Sequence, residues 1–164
     1  MKSLIVLVSY HHNNTQKIAE VMAKVLNAQI QSPQQTNPEE LQQYDLVGFG
    51  SGIYRYQHHT SLLDLADKLP QVTDKKAFIF STSGAPVIFG ASAFTEALEF
   101  HVPLMEKLQS KGYVIVDEFI CAGFNTNKFL KLFGGINKGR PNAEDLKKSR
   151  RVRFKTECVS DKRA

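Results

Sequence analysis

Only two cysteines occur in the 164 residues, Cys121 and Cys158, and no CxxC spacing joins them. That excludes a disulfide framework and a four-thiolate metal cluster, and leaves Cys121 as a small core residue at a strand end. No apolar stretch approaches the roughly 20 residues that span a bilayer. The first residues also lack the cationic flank, apolar segment and small-residue cleavage site of a secretion signal. A cytoplasmic location with no membrane insertion is therefore expected. No internal repeat is present. His11-His12 and His58-His59 are adjacent pairs on loops with no acid or thiol at ligand spacing, so no metal is expected.

Two phosphate-binding glycine patterns are missing as well. A GxxxxGK[ST] loop does not occur, and no GxGxxG follows the first strand. Gly48-Phe49-Gly50 and Gly50-Ser51-Gly52 are isolated GxG steps, so a dinucleotide site is disfavoured. The net charge of +5 suggests an anionic partner until its location is considered. Residues 147–164 hold eight Lys or Arg and two acids, whereas residues 1–146 hold 13 basic and 14 acidic groups. The body is nearly neutral, and the basic tail reads as a solvated, frayed helix end with no motif for reading specific nucleic acid. The expected organisation is one domain over residues 1–146 followed by that tail.

What the chain does have is a repeated strand-to-loop pattern. Leu4-Ile5-Val6-Leu7-Val8 suits a strand buried on both faces, as in a parallel sheet. It runs into Ser9-Tyr10-His11-His12-Asn13-Asn14-Thr15 and then into a helix over roughly 15–27, with Ile18, Val21, Met22, Val25 and Leu26 on one face and Asn14 or Thr15 as its cap. Hydroxyls, amides and backbone N–H groups meeting the positive end of a helix dipole can hold a phosphate. A short strand over 28–31 and a brief helix starting at Asn37-Pro38 follow. Leu46 to Gly50 and Ala77 to Phe80 are further buried strands, leaving through Ser51-Gly52-Ile53-Tyr54 and Ser81-Thr82-Ser83-Gly84. A helix over 60–69 stops at Pro70. A longer helical region over 94–111 is kinked or split by Pro103. Tyr113 to Val116 and Phe119 to Cys121 supply another strand, which exits at Ala122 to Thr126, and Asn142 caps a final helix. Strands alternating with helices at this spacing predict an α/β doubly wound sheet, which binds ligands beyond the carboxyl ends of its strands.

Neutral phosphate loops with aromatic residues on later loops suit a flavin mononucleotide, whose flat ring needs apolar walls; Tyr54, Tyr56 and Phe89 are available. The chain here resembles the flavodoxin-like family. Asn14-Thr15, Gly50 to Tyr54 and Ser81 to Gly84 carry the resemblance, together with Gly123-Phe124-Asn125-Thr126 and the stretch Gly134 to Asn142. Asn13 replaces a glycine of the family's first loop, and Asn tolerates a left-handed backbone. The resemblance implies a five-stranded parallel sheet in the order 2-1-3-4-5 and noncovalent FMN. Ser9, His11, Asn13, Asn14 and Thr15 would hold the phosphate. Gly52, Ile53 and Tyr54 would line one side of the ring, and Ser83, Gly84 and Phe89 the other. The expected function is redox chemistry with a partner protein or small electron acceptor, as an electron carrier or as a small oxidoreductase, with no catalytic acid or base identified. The alternative is a flavin-free binding or regulatory module using the same loops for another phosphate-bearing ligand.

Overall fold

The computed structural model describes residues 1–84 and 98–151. Five strands pair in parallel: β1 (Ser3–Val8), β2 (Gln29–Gln31), β3 (Leu46–Tyr54), β5 (Lys75–Ser83) and β6 (Tyr113–Ala122). Their spatial order is β2-β1-β3-β5-β6, which is 2-1-3-4-5 among parallel strands. The sixth strand, β4 (Gln57–His58), is a two-residue antiparallel extension on the end of β3.

Every residue of β1 is buried because helices cover both faces of the sheet. On one face α1 (Asn14–Leu26) presents Ile18, Ala19, Met22 and Leu26 to Ile5, Leu7, Phe78 and Phe80, with Leu146 of α4 (Ala143–Ser149) against the same cluster. On the other face α2 (Thr60–Lys68) and α3 (Val102–Ser110) bury Leu62, Leu65, Leu104 and Leu108 against Val6, Phe49 and Ile79. The isolated GxG at Gly48 to Gly50 has a packing explanation. Gly48 pairs with Phe78 and Gly50 with Phe80, and a Cβ at either glycine would lie 2.2 or 2.1 Å from the facing ring. Glycine leaves that space to the phenylalanines, which α1 then covers.

Several boundaries differ from the sequence expectation. Pro103 splits rather than kinks the expected long helix: a 3-10 turn at Leu98–His101 ends where α3 begins, with Pro103 in the first turn. Residues 94–97 of that expectation, and the tail beyond Arg151, lie outside the described residues. Tyr113 to Ala122 is one strand, carrying a register shift opposite Ala77 and Phe78. Asn37 and Asn142 cap as expected, Asn142 in a reciprocal capping box with Asp145. No helix among the described residues is long and apolar enough to cross a membrane.

Candidate functional site

The carboxyl ends of β1, β3, β5 and β6 surround a cavity of about 420 Å³, within the size range of small-molecule sites. It brings together Ser9, His11, Asn14, Thr15, Gly52, Ile53, Tyr54, Ser83 and Gly84, nine residues singled out from the sequence. Asn13 does not line it, and Phe89 lies outside the described residues.

The first loop makes its turn through two left-handed residues, His12 (φ 52°) and Asn13 (φ 53°). Asn13 thus takes the backbone role of the missing glycine, but its side chain makes no capping bond to α1. Asn14 and Thr15 are not caps either; both are helical, and their side chains tie the loop to its neighbours. Asn14 Nδ2 donates to the Phe124 carbonyl at 2.9 Å, and Thr15 Oγ1 lies 2.9 Å from Thr82 Oγ1. Ser9 acts on the helix start instead, its Oγ accepting the Gln16 N–H at 3.2 Å. His12 Nε2 is 2.8 Å from Thr126 Oγ1, with its ring 4.5 Å from that of Phe124. The loop after β6 packs so closely that a Cβ on Gly123 would meet Asn14 Nδ2 at 2.7 Å.

The second wall is a hairpin where a loop was expected. β3 continues through Tyr54, turns at Arg55 and Tyr56, and returns as β4, pairing Ile53 with His58 and Tyr54 with Gln57. Both turn residues have positive φ, 51° and 66°. Such a two-residue turn normally carries Asn-Gly, so Arg55-Tyr56 is strained. Tyr54 packs edge-on to His59 at 5.4 Å, His59 lies 5.3 Å from Tyr10, and Tyr56 lies 5.5 Å from Phe100. Burial, followed by the neighbouring Tyr10, pushes the Tyr54 phenol pKa up. β5 likewise runs through Ser83, so Ser81 to Ser83 are strand residues held by β6.

Two features bear on what fits there. Asn14 Oδ1 is buried without a hydrogen-bond partner, an acceptor that a hydroxylated ligand can satisfy. Among the described residues lining the cavity there is no carboxylate, while Arg55 and His11 are present. The donor set therefore suits an anion with hydroxyls and an aromatic body. Tyr10, Arg55, Phe100 and Asn127 also line the cavity and were missed; Gly123 to Asn125 line it too, and their position after the last strand marked them in the sequence. Among the described residues no three His, Cys, Asp or Glu side chains are grouped to hold a metal ion. Cys121 is buried, and that burial raises its thiol pKa far above the ordinary value.

A family model described as a flavodoxin domain matches residues 5–123. The chain belongs to the flavodoxin family. It is 47% identical over 150 residues to uncharacterized protein MJ0298 of Methanocaldococcus jannaschii, covering 92% of this chain and 94% of that one. Oxidised flavodoxin 2 from Bacillus cereus superposes with a TM-score of 0.64 at 18% identity, covering 92% of this chain and 93% of that one. A flavodoxin from the domain Archaea gives a TM-score of 0.57 at 16% identity, covering 93% of each chain. At those identities the two structures attest the fold. Membership of the family implies a flavin cofactor, which the neutral loop, the unpartnered Asn14 carbonyl and the aromatic wall of this cavity fit.

Proposed function

We propose that this flavodoxin-family protein binds FMN noncovalently at the carboxyl edge of its sheet and uses it in redox chemistry with a partner protein or a small electron acceptor. The observation that carries this reading is the cavity where four strand ends meet: it has hydroxyls and amides, a buried unpartnered carbonyl at Asn14, and no carboxylate among its described lining residues. When bound, the flavin supplies the capacity to accept and release electrons or hydride, and the protein supplies placement and electrostatics.

In this reading the segment from Ser9 to Thr15 holds the phosphate beside the first turn of α1, whose dipole favours an anion. Asn14 Oδ1 accepts from a ligand hydroxyl. Gly52 to Tyr54 bound one side of the ring, Ser83 and Gly84 the other, with the Tyr56–Phe100 pair adding aromatic surface to the lining. A basic acceptor protein of the kind served by acidic electron carriers does not match a body of 13 basic and 14 acidic groups. Reduction of the FMN-loaded protein by a nicotinamide donor, coupled to turnover of an added acceptor, assigns an oxidoreductase. If reduction comes only from a redox protein, the assignment is an electron carrier. Failure of the loaded protein to cycle with either donor overturns the redox reading.

A further inference from the structure

Beneath the cavity, on the α2 and α3 face, lies a chain of buried polar side chains that cofactor binding does not use. Ser51 and Ser81 are direct partners on β3 and β5, each one residue before a cavity-lining position, Gly52 and Thr82. Ser81 Oγ is 2.7 Å from His101 Nε2, and His101 Nδ1 is 2.9 Å from Glu118 Oε2. His58 Nδ1 is 2.8 Å from Ser51 Oγ, and the two imidazoles are 5.0 Å apart. His58, His101, Ser51 and Ser81 are buried, whereas the Glu118 side chain is 26% exposed and gives the chain its outlet to water.

The two histidines are prepared for different charge states. The Ser51 hydroxyl donates to the Gly52 carbonyl at 2.7 Å and accepts the His59 N–H at 3.0 Å, so His58 Nδ1–H is the donor to Ser51. His58 Nε2 is then a buried lone pair without a partner, an environment in which a charge is costly. Burial, followed by His101, holds its pKa well below the ordinary 6.5. Both His101 nitrogens instead face oxygens, one of them a carboxylate, so this ring can carry a second proton. The register shift in β6 produces the pairing. Ile115 and Val116 face opposite cores in ordinary alternation; after the shift Phe119 faces the α1 cluster and Glu118 faces His101. The other charged groups on surrounding elements are Asp117 on β6, exposed Glu99 on the 98–101 turn, exposed Glu106 on α3, exposed Asp64 and Lys68 on α2, Lys107 of α3 paired with Asp67 of α2, Lys75 and exposed Lys76 at the start of β5, and exposed Arg55 at the β3–β4 turn.

We propose that His101, positioned by Ser81 and Glu118, takes up one proton from water when the occupant of the cavity gains negative charge, while His58 stays neutral. This rests on the FMN reading above. The electron enters the cavity from the redox partner. The proton comes from water at the exposed edge of Glu118 and ends on the His101 ring, converting a carboxylate beside a neutral imidazole into a carboxylate–imidazolium pair. Ser81 turns from donor to acceptor, and no bond to carbon changes.

The test is the midpoint potential of bound FMN from about pH 5.5 to about pH 8.5, a span bracketing histidine titration, in the wild type, His101→Gln and Glu118→Gln. In the wild type the preference for reduced over oxidised FMN should gain up to about tenfold per pH unit on acidification beyond that of either variant, the effect of one linked proton. NMR titration of His101 should show a higher pKa with reduced than with oxidised FMN. Glu118 lies at the sheet edge, so Glu118→Gln keeps the test open if His101→Gln fails to fold. Normal FMN binding with the same pH dependence in wild type and variants, or an His101 pKa indifferent to the redox state, overturns this inference alone. Absence of FMN binding overturns the flavin reading and this inference with it.

Discussion

Ser81 and Thr82 are consecutive on β5, both buried, and face opposite sides of the sheet at one cavity. Thr82 meets Thr15 of α1, a hydroxyl pair with no titratable member. Ser81 meets His101, which meets Glu118, with the tilted ring of His58 alongside. Strand alternation thus separates two jobs at one sheet edge. The α1 face offers a hydroxyl pair that carries no charge at any ordinary pH, and the α2 and α3 face carries the two histidines. The difference also explains why the polar ends of β3 and β5 are tolerated inside the molecule: on both faces the buried hydroxyls are hydrogen-bonded.

The comparison can be broken first on the α1 face. Phe80→Ala would empty the space that Gly50 leaves open, and it should cost about 3–5 kcal/mol in urea unfolding. Thr15→Ala would remove the neutral grip and leave Thr82 without its partner. A loss of about 1–3 kcal/mol of stability is expected, with FMN binding weakened about tenfold or more and by the same factor at acid and neutral pH; a pH-dependent factor would contradict the division of roles.

On the other face the expected effect is smaller and depends on pH. His58 has a folded-state pKa below its unfolded value of about 6.5. Its contribution is complete above that value and declines as pH falls, because the unfolded chain takes up the proton that the buried ring refuses. Between neutrality and one pH unit below 6.5 the loss should approach about 1.4 kcal/mol, measurable by urea unfolding at the two pH values and absent in His58→Gln. The smallest change is at the hairpin tip. Replacing Arg55 and Tyr56 by Asn and Gly should relieve the positive-φ strain and raise stability by about 1 kcal/mol or more, while weakening FMN binding measured in parallel.

The strands, their order of exits and nine of the cavity's residues were legible because each is a local pattern: a β-branched run followed by hydroxyls, amides or glycine. What was not legible depends on partners distant in sequence. Ser51 to Tyr54 and Ser81 to Ser83 read as loops, yet β1 pairs with Ser51, β5 with Ser51 and Gly52, β4 with Ile53 and Tyr54, and β6 with Ser81 to Ser83. Gln57-His58 is too short to show any alternation. Asn14 reads as a cap, but the backbone it bonds is at Phe124, 110 residues away. His58 and His101 are 43 positions apart, and only the chain crossings and the shift in β6 put them beside each other and beside Glu118. Gly48 to Gly50 resembles part of a nucleotide motif, and the rings of Phe78 and Phe80 that account for it lie on the next strand.

The most direct test of the central claim, a flavin held by its phosphate at the first loop, is fluorescence titration of the cofactor-free protein with FMN and with riboflavin in parallel. FMN should be quenched on binding and should bind at least about tenfold more tightly, the equivalent of one charge-assisted hydrogen bond. Equal affinity for the two flavins, or no quenching of either, would contradict it.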